Sequence, residues 1–142
     1  MPPPRPLRDQ PSSPEAAVTL AGVRALVVED DVDLLELLDV VLSSAGAEVR
    51  TAGSAEEALE RLTSFDPSVL VSDIGMPGRD GYWLIREVRK LKGDLPAIAV
   101  TAYSLPADRE RARSAGFDEH LGKPADPATL VRAVARMAAT RH

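Results

Sequence analysis

The chain has 142 residues, a net charge of -5 and no cysteine. This length suits a single domain, and 44% hydrophobic residues with 27% charged residues is ordinary for a globular protein. The composition excludes disulfides and thiolate metal sites, and its acidic balance argues against direct binding of nucleic acid.

Residues 1–22 predict a disordered tail or a linker, ahead of one folded domain at residues 23–142. The stretch MPPPRPLRDQPSSPEAAVTL is rich in Pro, Ser and charge, and too poor in large apolar side chains to form a core. It lacks the apolar region of a signal peptide, and no run in the chain approaches the ~20 apolar residues of a membrane span. We therefore expect a cytoplasmic protein that does not contact a membrane directly.

Beyond the tail, short apolar runs alternate with helical patterns. In chain order the pattern predicts strand 23–28, helix 33–46, strand 48–51, helix 54–65, strand 68–73, helix 80–93, strand 96–102, helix 106–116, strand 117–122 and helix 126–139. Asp31, Ser54 and Asp126 stand where helix N-caps are expected. Short apolar strands separated by helices predict an α/β fold, a five-stranded parallel (βα)5 sheet with helices on both faces.

Polar residues stand at the carboxyl ends of four of these strands. Glu29 and Asp30 follow the first strand, Asp73 ends the third, Thr101 ends the fourth and Lys123 follows the fifth. Because ligands bind beyond the carboxyl ends of parallel strands, we expect these side chains to converge. Carboxylates suit Mg²⁺, an aspartate can attack phosphorus, and a lysine and a hydroxyl can neutralise phosphoryl oxygens.

Four motifs occupy these strand ends, in the order VVEDD, VSDIGMPGRDGY, AVTAY and HLGKP. With these motifs the chain resembles the receiver domain of the two-component response-regulator family, over roughly residues 23–139. The sequence of these motif regions is most similar to that of receivers attached to hybrid histidine kinases. The resemblance implies the flavodoxin-like receiver topology and a phospho-accepting role in a two-component system or phosphorelay. A histidine kinase or a histidine phosphotransfer protein would supply the phosphate.

The resemblance also implies a role for each acidic residue. Asp73 would be the phosphoacceptor, taking phosphate from a phosphohistidine. Asp30 and Asp73 would ligate Mg²⁺ directly, together with the backbone carbonyl of Gly75, and Glu29 would act mainly through water. The implied cofactor is therefore Mg²⁺.

The remaining motif residues would form the switch. Lys123 would pair with the phosphoryl group and Thr101 would move toward it, and the Lys123–Pro124 peptide is a candidate cis bond. His120 stands at the switch position that is usually Tyr or Phe, although a lone histidine is more often a structural residue. Tyr103 is a candidate shield of the acyl phosphate.

Two apolar features leave a binding interpretation and a packing interpretation open. Helix 33–46 carries more apolar residues than one buried stripe needs, so part of it either docks a helical phosphodonor or is buried. Trp83 falls among polar residues of its helix and either contacts a partner or packs. Helix 106–116 is polar and offers no large anchor, which favours a monomer or a weak dimer.

Two other functions are alternatives to a receiver for this sequence. The first is a Mg²⁺-dependent phosphohydrolase, for which Asp31 and Asp33 would be the catalytic pair. The second is an interaction module that does not depend on phosphorylation. The receiver interpretation implies no enzyme beyond the phosphorylation and dephosphorylation of its own aspartate. A stand-alone regulator and a piece of a hybrid histidine kinase both remain open.

Overall fold

The computed structural model of the protein describes residues 18–102 and 104–140. Most of the predicted tail, residues 1–17, therefore lies outside the described residues, and so does Tyr103. Within the described ranges, no helix is long and apolar enough to cross a membrane.

The ten predicted elements are confirmed, each within two residues of its predicted ends. The strands are β1 Arg24–Val28, β2 Glu48–Ala52, β3 Val69–Ser72, β4 Ala97–Thr101 and β5 Glu119–Gly122. The helices are α1 Val32–Ser44, α2 Ala55–Phe65, α3 Gly81–Leu91, α4 Pro106–Ala115 and α5 Pro127–Ala139. The predicted α/β class therefore holds along the described chain.

The strands form one parallel sheet in the order β2-β1-β3-β4-β5. The chain leaves β1 for β2 on one side and returns to β3 on the other, which makes the β1–β3 border the switch point of the sheet. Val28 pairs with Ser72 at the carboxyl ends of these strands. Glu29 and Asp73 are the next residues, so the register brings them to the place where such sheets bind ligands.

Each face of the sheet has its own core. Successive side chains of a strand point to opposite faces, so Leu26 and Leu70 pack against α2 and α3. Val27 and Val71 pack against α1 and α5. The central strands β1, β3 and β4 are buried on both faces, which explains their continuous apolar runs.

Side chains cap four of the five helices. The predicted caps Asp31, Ser54 and Asp126 are confirmed, and Asp80 caps α3; each side chain accepts a backbone N–H of the first turn. Such a cap stabilises a helix by about 1 kcal/mol. By contrast, α4 begins after Leu105, whose side chain has no acceptor.

The folded part of the chain begins within the segment that the sequence assigns to the tail. Leu20 is fully buried in the core beneath α1 and α5. Its N–H donates to the carbonyl of Ala45 at 2.8 Å, just beyond α1. Leu20 follows a polar, proline-rich stretch and forms no periodic apolar pattern with its neighbours, so the sequence did not show this anchor.

Candidate functional site

The candidate site lies at the carboxyl ends of β1, β3, β4 and β5, where the sequence analysis predicts it. Glu29, Asp73 and Thr101 are buried, with 2%, 6% and 1% of their surface exposed, whereas Asp30 is exposed. One carboxylate oxygen from each of Glu29, Asp30 and Asp73 lies within 4.8 Å of the others. The fold therefore concentrates three carboxylates at one edge of the sheet.

Lys123 faces two of these carboxylates. Its Nζ lies 2.9 Å from Oε1 of Glu29 and 3.1 Å from Oδ2 of Asp73. The N–H of Lys123 donates to the carbonyl of Thr101 at 2.9 Å, which fixes the lysine beside the end of β4. The predicted cis peptide between Lys123 and Pro124 is confirmed. One ammonium group thus joins the two buried acids.

Asp73 is held by the backbone that follows it. The N–H groups of Ile74 and Gly75 donate to its Oδ1 at 2.7 and 3.3 Å, while Oδ2 faces Lys123. The N–H of Asp73 donates to the carbonyl of Val28 at 2.9 Å, in continuation of the sheet. Gly75 itself is exposed at the start of the loop between β3 and α3. The carboxylate therefore has a fixed orientation at the mouth of the site.

The electrostatics of the site follow from burial and pairing. Burial raises the pKa of Glu29, and the charge of Asp73 adds to this, while hydrogen bonds from Asp31 N–H and Lys123 act against it. Burial alone would lower the pKa of Lys123, but its hydrogen bonds to Glu29 and Asp73 outweigh that effect and raise it. The lysine is therefore charged at neutral pH.

The donor set fits a hard dication. Three carboxylates lie close to one ammonium group. Negative groups therefore outnumber positive ones, and two of the three carboxylates are buried. All three donors are carboxylate oxygens, and Mg²⁺ prefers such ligands and retains water on its exposed side. A cation would also relieve the repulsion between Glu29 and Asp73 that raises the glutamate pKa.

The other predicted residues lie around this cluster. His120 is half-buried on β5, where it pairs with Ala99. By the alternation of the strands it shares a face of the sheet with Ala99 and Thr101, and its switch role stays a prediction. Asp31 caps α1, accepting the N–H groups of Asp33 and Leu34, so its carboxylate is engaged at the helix start.

Two contacts beside the site had no signal in the sequence. The guanidinium of Arg111 on α4 lies 4.1 Å from the ring centroid of Tyr82 in the first turn of α3. The guanidinium of Arg79 lies 4.5 Å from the ring centroid of Trp83, which is half-buried against the core. Each contact joins a loop or helix to the first turn of α3. Arg79 lies only four residues before Trp83, whereas only the tertiary fold brings Arg111 to Tyr82.

The amino-acid sequence of the chain is similar to those of several known proteins. A family model described as "Response regulator receiver domain" matches residues 25–135. The chain is 49% identical over 118 residues to the "Uncharacterized 14.6 kDa protein in sodA1 3'region" of Leptolyngbya boryana, covering 82% of this chain and 90% of that protein. It is 40% identical to the transcriptional regulatory protein PrrA of Mycobacterium tuberculosis, covering 78% of this chain and 48% of PrrA.

A solved structure also resembles the chain in fold. A putative response regulator from Chloroflexus aurantiacus superposes with a TM-score of 0.78 at 38% identity, covering 82% of this chain and 98% of that one. The chain spans about half the length of the transcriptional regulators that it matches, such as PrrA.

Proposed function

Because this chain belongs to the response regulator receiver domain family, we propose that it accepts phosphate on Asp73 from a phosphohistidine. A histidine kinase or a histidine phosphotransfer protein would be the donor, and the phosphorylated form would change its contacts with a partner or pass the phosphate on. The observation that carries the proposal is the pair of contacts from Lys123 Nζ to Glu29 and Asp73. They join an aspartate nucleophile to a cation at the ligand-binding edge of the sheet.

In the proposed transfer, a carboxylate oxygen of Asp73 attacks phosphorus. The bond from phosphorus to the imidazole nitrogen breaks as the bond to the carboxylate forms, and the imidazole leaves with the electron pair. Lys123 and the hydroxyl of Thr101 would neutralise the phosphoryl oxygens. Asp30, Asp73 and the Gly75 carbonyl would hold Mg²⁺, with Glu29 acting through water, and the bound cation would supply further neutralising charge. We expect no activity beyond phosphorylation and dephosphorylation of the chain's own aspartate.

Intact-mass analysis after incubation with Mg²⁺ and a small acyl phosphate tests this proposal. We expect the wild type to gain one phosphoryl group, and we expect Asp73→Asn to gain none because the amide is not a nucleophile for phosphorus. Chelation of the metal should prevent the gain. Asp31→Asn is the matched control: its side chain caps α1, so its adduct should equal that of the wild type.

The same samples separate the rival functions. Turnover of a generic phosphomonoester that Asp31→Asn abolishes and Asp73→Asn does not would favour a phosphohydrolase. A wild type that gains no phosphoryl group and does not bind beryllofluoride would favour an interaction module that acts without phosphorylation.

The first helix supports a docking place for the donor. Leu37 and Val40 on α1 are 55% and 56% exposed, which leaves a large part of its apolar surface uncovered. An apolar groove of about 300 Å³ runs between α1 and the start of α5 and reaches Lys123. The acidic side chains of Asp33 and Glu36 are exposed beside it. We propose that a donor helix with an apolar stripe and basic flanks docks here and presents its phosphohistidine to Asp73.

Leu37→Glu tests this docking place. We expect phosphotransfer from a protein donor to fall by about tenfold or more, because a carboxylate would be desolvated in the apolar contact. Phosphorylation by a small acyl phosphate should be unchanged, because that donor does not need the groove. Leu91→Glu, at an exposed position at the end of α3, is the control and should change neither rate. An equal loss with both donors would contradict the docking role.

A further inference from the structure

Ser72 is a buried polar residue that the proposed transfer does not use. Of the Ser, Thr, Asp and Glu residues that the structure describes, four are buried, and Glu29, Asp73 and Thr101 belong to the candidate site. The fourth is Ser72, the last residue of β3, which has 0% of its surface exposed. A buried hydroxyl needs a hydrogen-bond partner to offset its loss of water. The partner of Ser72 therefore indicates what its hydroxyl does.

The hydroxyl of Ser72 donates to the main-chain carbonyl of the next residue. Its Oγ lies 2.8 Å from the carbonyl oxygen of Asp73. The same carbonyl oxygen lies against the first residue of α3, since a Cβ on Gly81 would be 2.4 Å from it. By the alternation of β3, Ser72 shares a face of the sheet with Leu70, which packs against α2 and α3. The carbonyl of Asp73 is thus held on the α3 side of the sheet.

The other end of that peptide group points to the carboxylate of Asp73. The carbonyl of Asp73 and the N–H of Ile74 belong to one planar peptide, so the two groups point in opposite directions. The N–H of Ile74 donates to Oδ1 of Asp73 at 2.7 Å, and the N–H of Gly75 donates to the same oxygen at 3.3 Å. The second oxygen, Oδ2, lies 3.1 Å from Nζ of Lys123. A rotation of this one peptide would therefore move the donor that fixes the carboxylate.

We propose that Ser72 is a positioning residue, whose hydroxyl orients the carboxylate of Asp73 through the peptide that joins Asp73 to Ile74. The inference rests on the proposed function and deepens it. With the hydroxyl in place, the peptide keeps its N–H on Oδ1, and Oδ2 stays beside the ammonium of Lys123. Without it, the buried carbonyl of Asp73 loses a donor, and the peptide is freer to turn. The carboxylate then spends less time in the orientation that phosphoryl transfer needs.

The rate of phosphorylation by a small acyl phosphate at saturating Mg²⁺ measures this effect. We expect the rate constant of Ser72→Ala to be about five- to tenfold lower than that of the wild type, the range that corresponds to one lost hydrogen bond. Ser72→Thr keeps the hydroxyl, and a β-branched residue suits a strand, so this variant should retain the wild-type rate. Intact-mass analysis follows the formation of the adduct with time.

Ser68→Ala is the matched control. Ser68 precedes β3 at the opposite edge of the sheet, where its Oγ accepts the N–H of Arg24 at 2.9 Å and donates to the carbonyl of the same residue at 3.2 Å. Both alanine variants should unfold at lower urea concentrations than the wild type, but Ser68→Ala should keep the wild-type rate of phosphorylation. Equal rates for the wild type and Ser72→Ala, or equal losses of rate in the two alanine variants, would overturn the proposal. A Ser72→Thr variant that is as stable as the wild type but reacts as slowly as Ser72→Ala would also overturn it.

The amide proton of Ile74 gives a test that needs no phosphate chemistry. A hydrogen bond of 2.7 Å to a carboxylate is short and strong, and it shifts the NMR resonance of the amide proton downfield. Without Mg²⁺ and phosphate, we expect Ser72→Ala to move this resonance upfield and Ser68→Ala to leave it in place. An unchanged resonance in Ser72→Ala would overturn the proposal. If the wild type gains no phosphoryl group, the proposed function fails, and this resonance still decides whether Ser72 orients Asp73.

Discussion

Gly81→Ala is expected to remove phosphoryl acceptance and to lower the free energy of unfolding by about 2–4 kcal/mol. A Cβ at position 81 would lie 2.4 Å from the carbonyl oxygen of Asp73 and 2.6 Å from the Cα of Ile74. Both are backbone atoms, so no flexible side-chain end can give way. The N–H of Gly81 also donates to the carbonyl of Ile74 at 2.8 Å, which closes the loop tightly at this point.

The expected cost exceeds the favourable effect of alanine in a helix. Alanine gains at most about 1 kcal/mol over glycine within a helix, and Gly81 is only the first residue of α3. The clash must therefore open the β3–α3 loop, which displaces Asp73 and Gly75 from the candidate site. Urea unfolding and the intact-mass assay with acyl phosphate measure the two effects.

Gly53→Ala is the matched control for this prediction. A Cβ at position 53 would meet only the side chain of Glu57, at an ordinary 3.7 Å. We expect its stability and its phosphoryl adduct to equal those of the wild type. If Gly81→Ala also kept both, the close approach of α3 to Asp73 would not be a constraint on the site.

The sequence predicted the elements of this fold because their signals are local. Apolar runs at β1, β3 and β4 and capping side chains such as Ser54 and Asp126 each depend on a few neighbouring residues. The convergence of the candidate site residues followed from topology, because parallel strands bring their carboxyl ends to one edge. The order of the strands explains which of these residues are adjacent: Glu29 and Asp73 lie side by side because β1 and β3 are neighbours in the sheet.

Contacts between distant side chains could not be predicted in this way. Leu20, Arg89 and Arg111 reach partners through the tertiary fold, and nothing near them in the sequence marks those partners. The sequence also did not show which apolar residues of α1 are buried, because its leucines and valines are equally hydrophobic and occur on most of the helix surface. Only the tertiary packing against the sheet and α5 shows that Leu38 is buried and that Leu37 is exposed.

Arg89→Met is expected to lower the free energy of unfolding by about 2–4 kcal/mol, since several partly buried acceptors would lose a charged donor. Methionine keeps an apolar stem in the space of the arginine side chain, which is only 22% exposed. The carbonyls of Gly116 and Leu95 and the carboxylate of Asp118 would lose the guanidinium. Asp118 would still accept the N–H of Ala97, so this carboxylate would keep one donor and would contribute less to the destabilisation than an unpaired one.

Urea unfolding beside Lys90→Met isolates the role of the guanidinium. Lys90 makes an exposed ion pair with Glu87, so its loss should cost well under 1 kcal/mol. A cost for Arg89→Met as small as that of Lys90→Met would mean that water replaces the arginine at these acceptors. Hydrogen exchange gives the complementary result: Arg89→Met should speed the exchange of the amides at 113–117, whereas Lys90→Met should leave them unchanged. An increase that is confined to these amides would show that the guanidinium holds the carboxyl end of α4, where it reaches the carbonyl of Gly116.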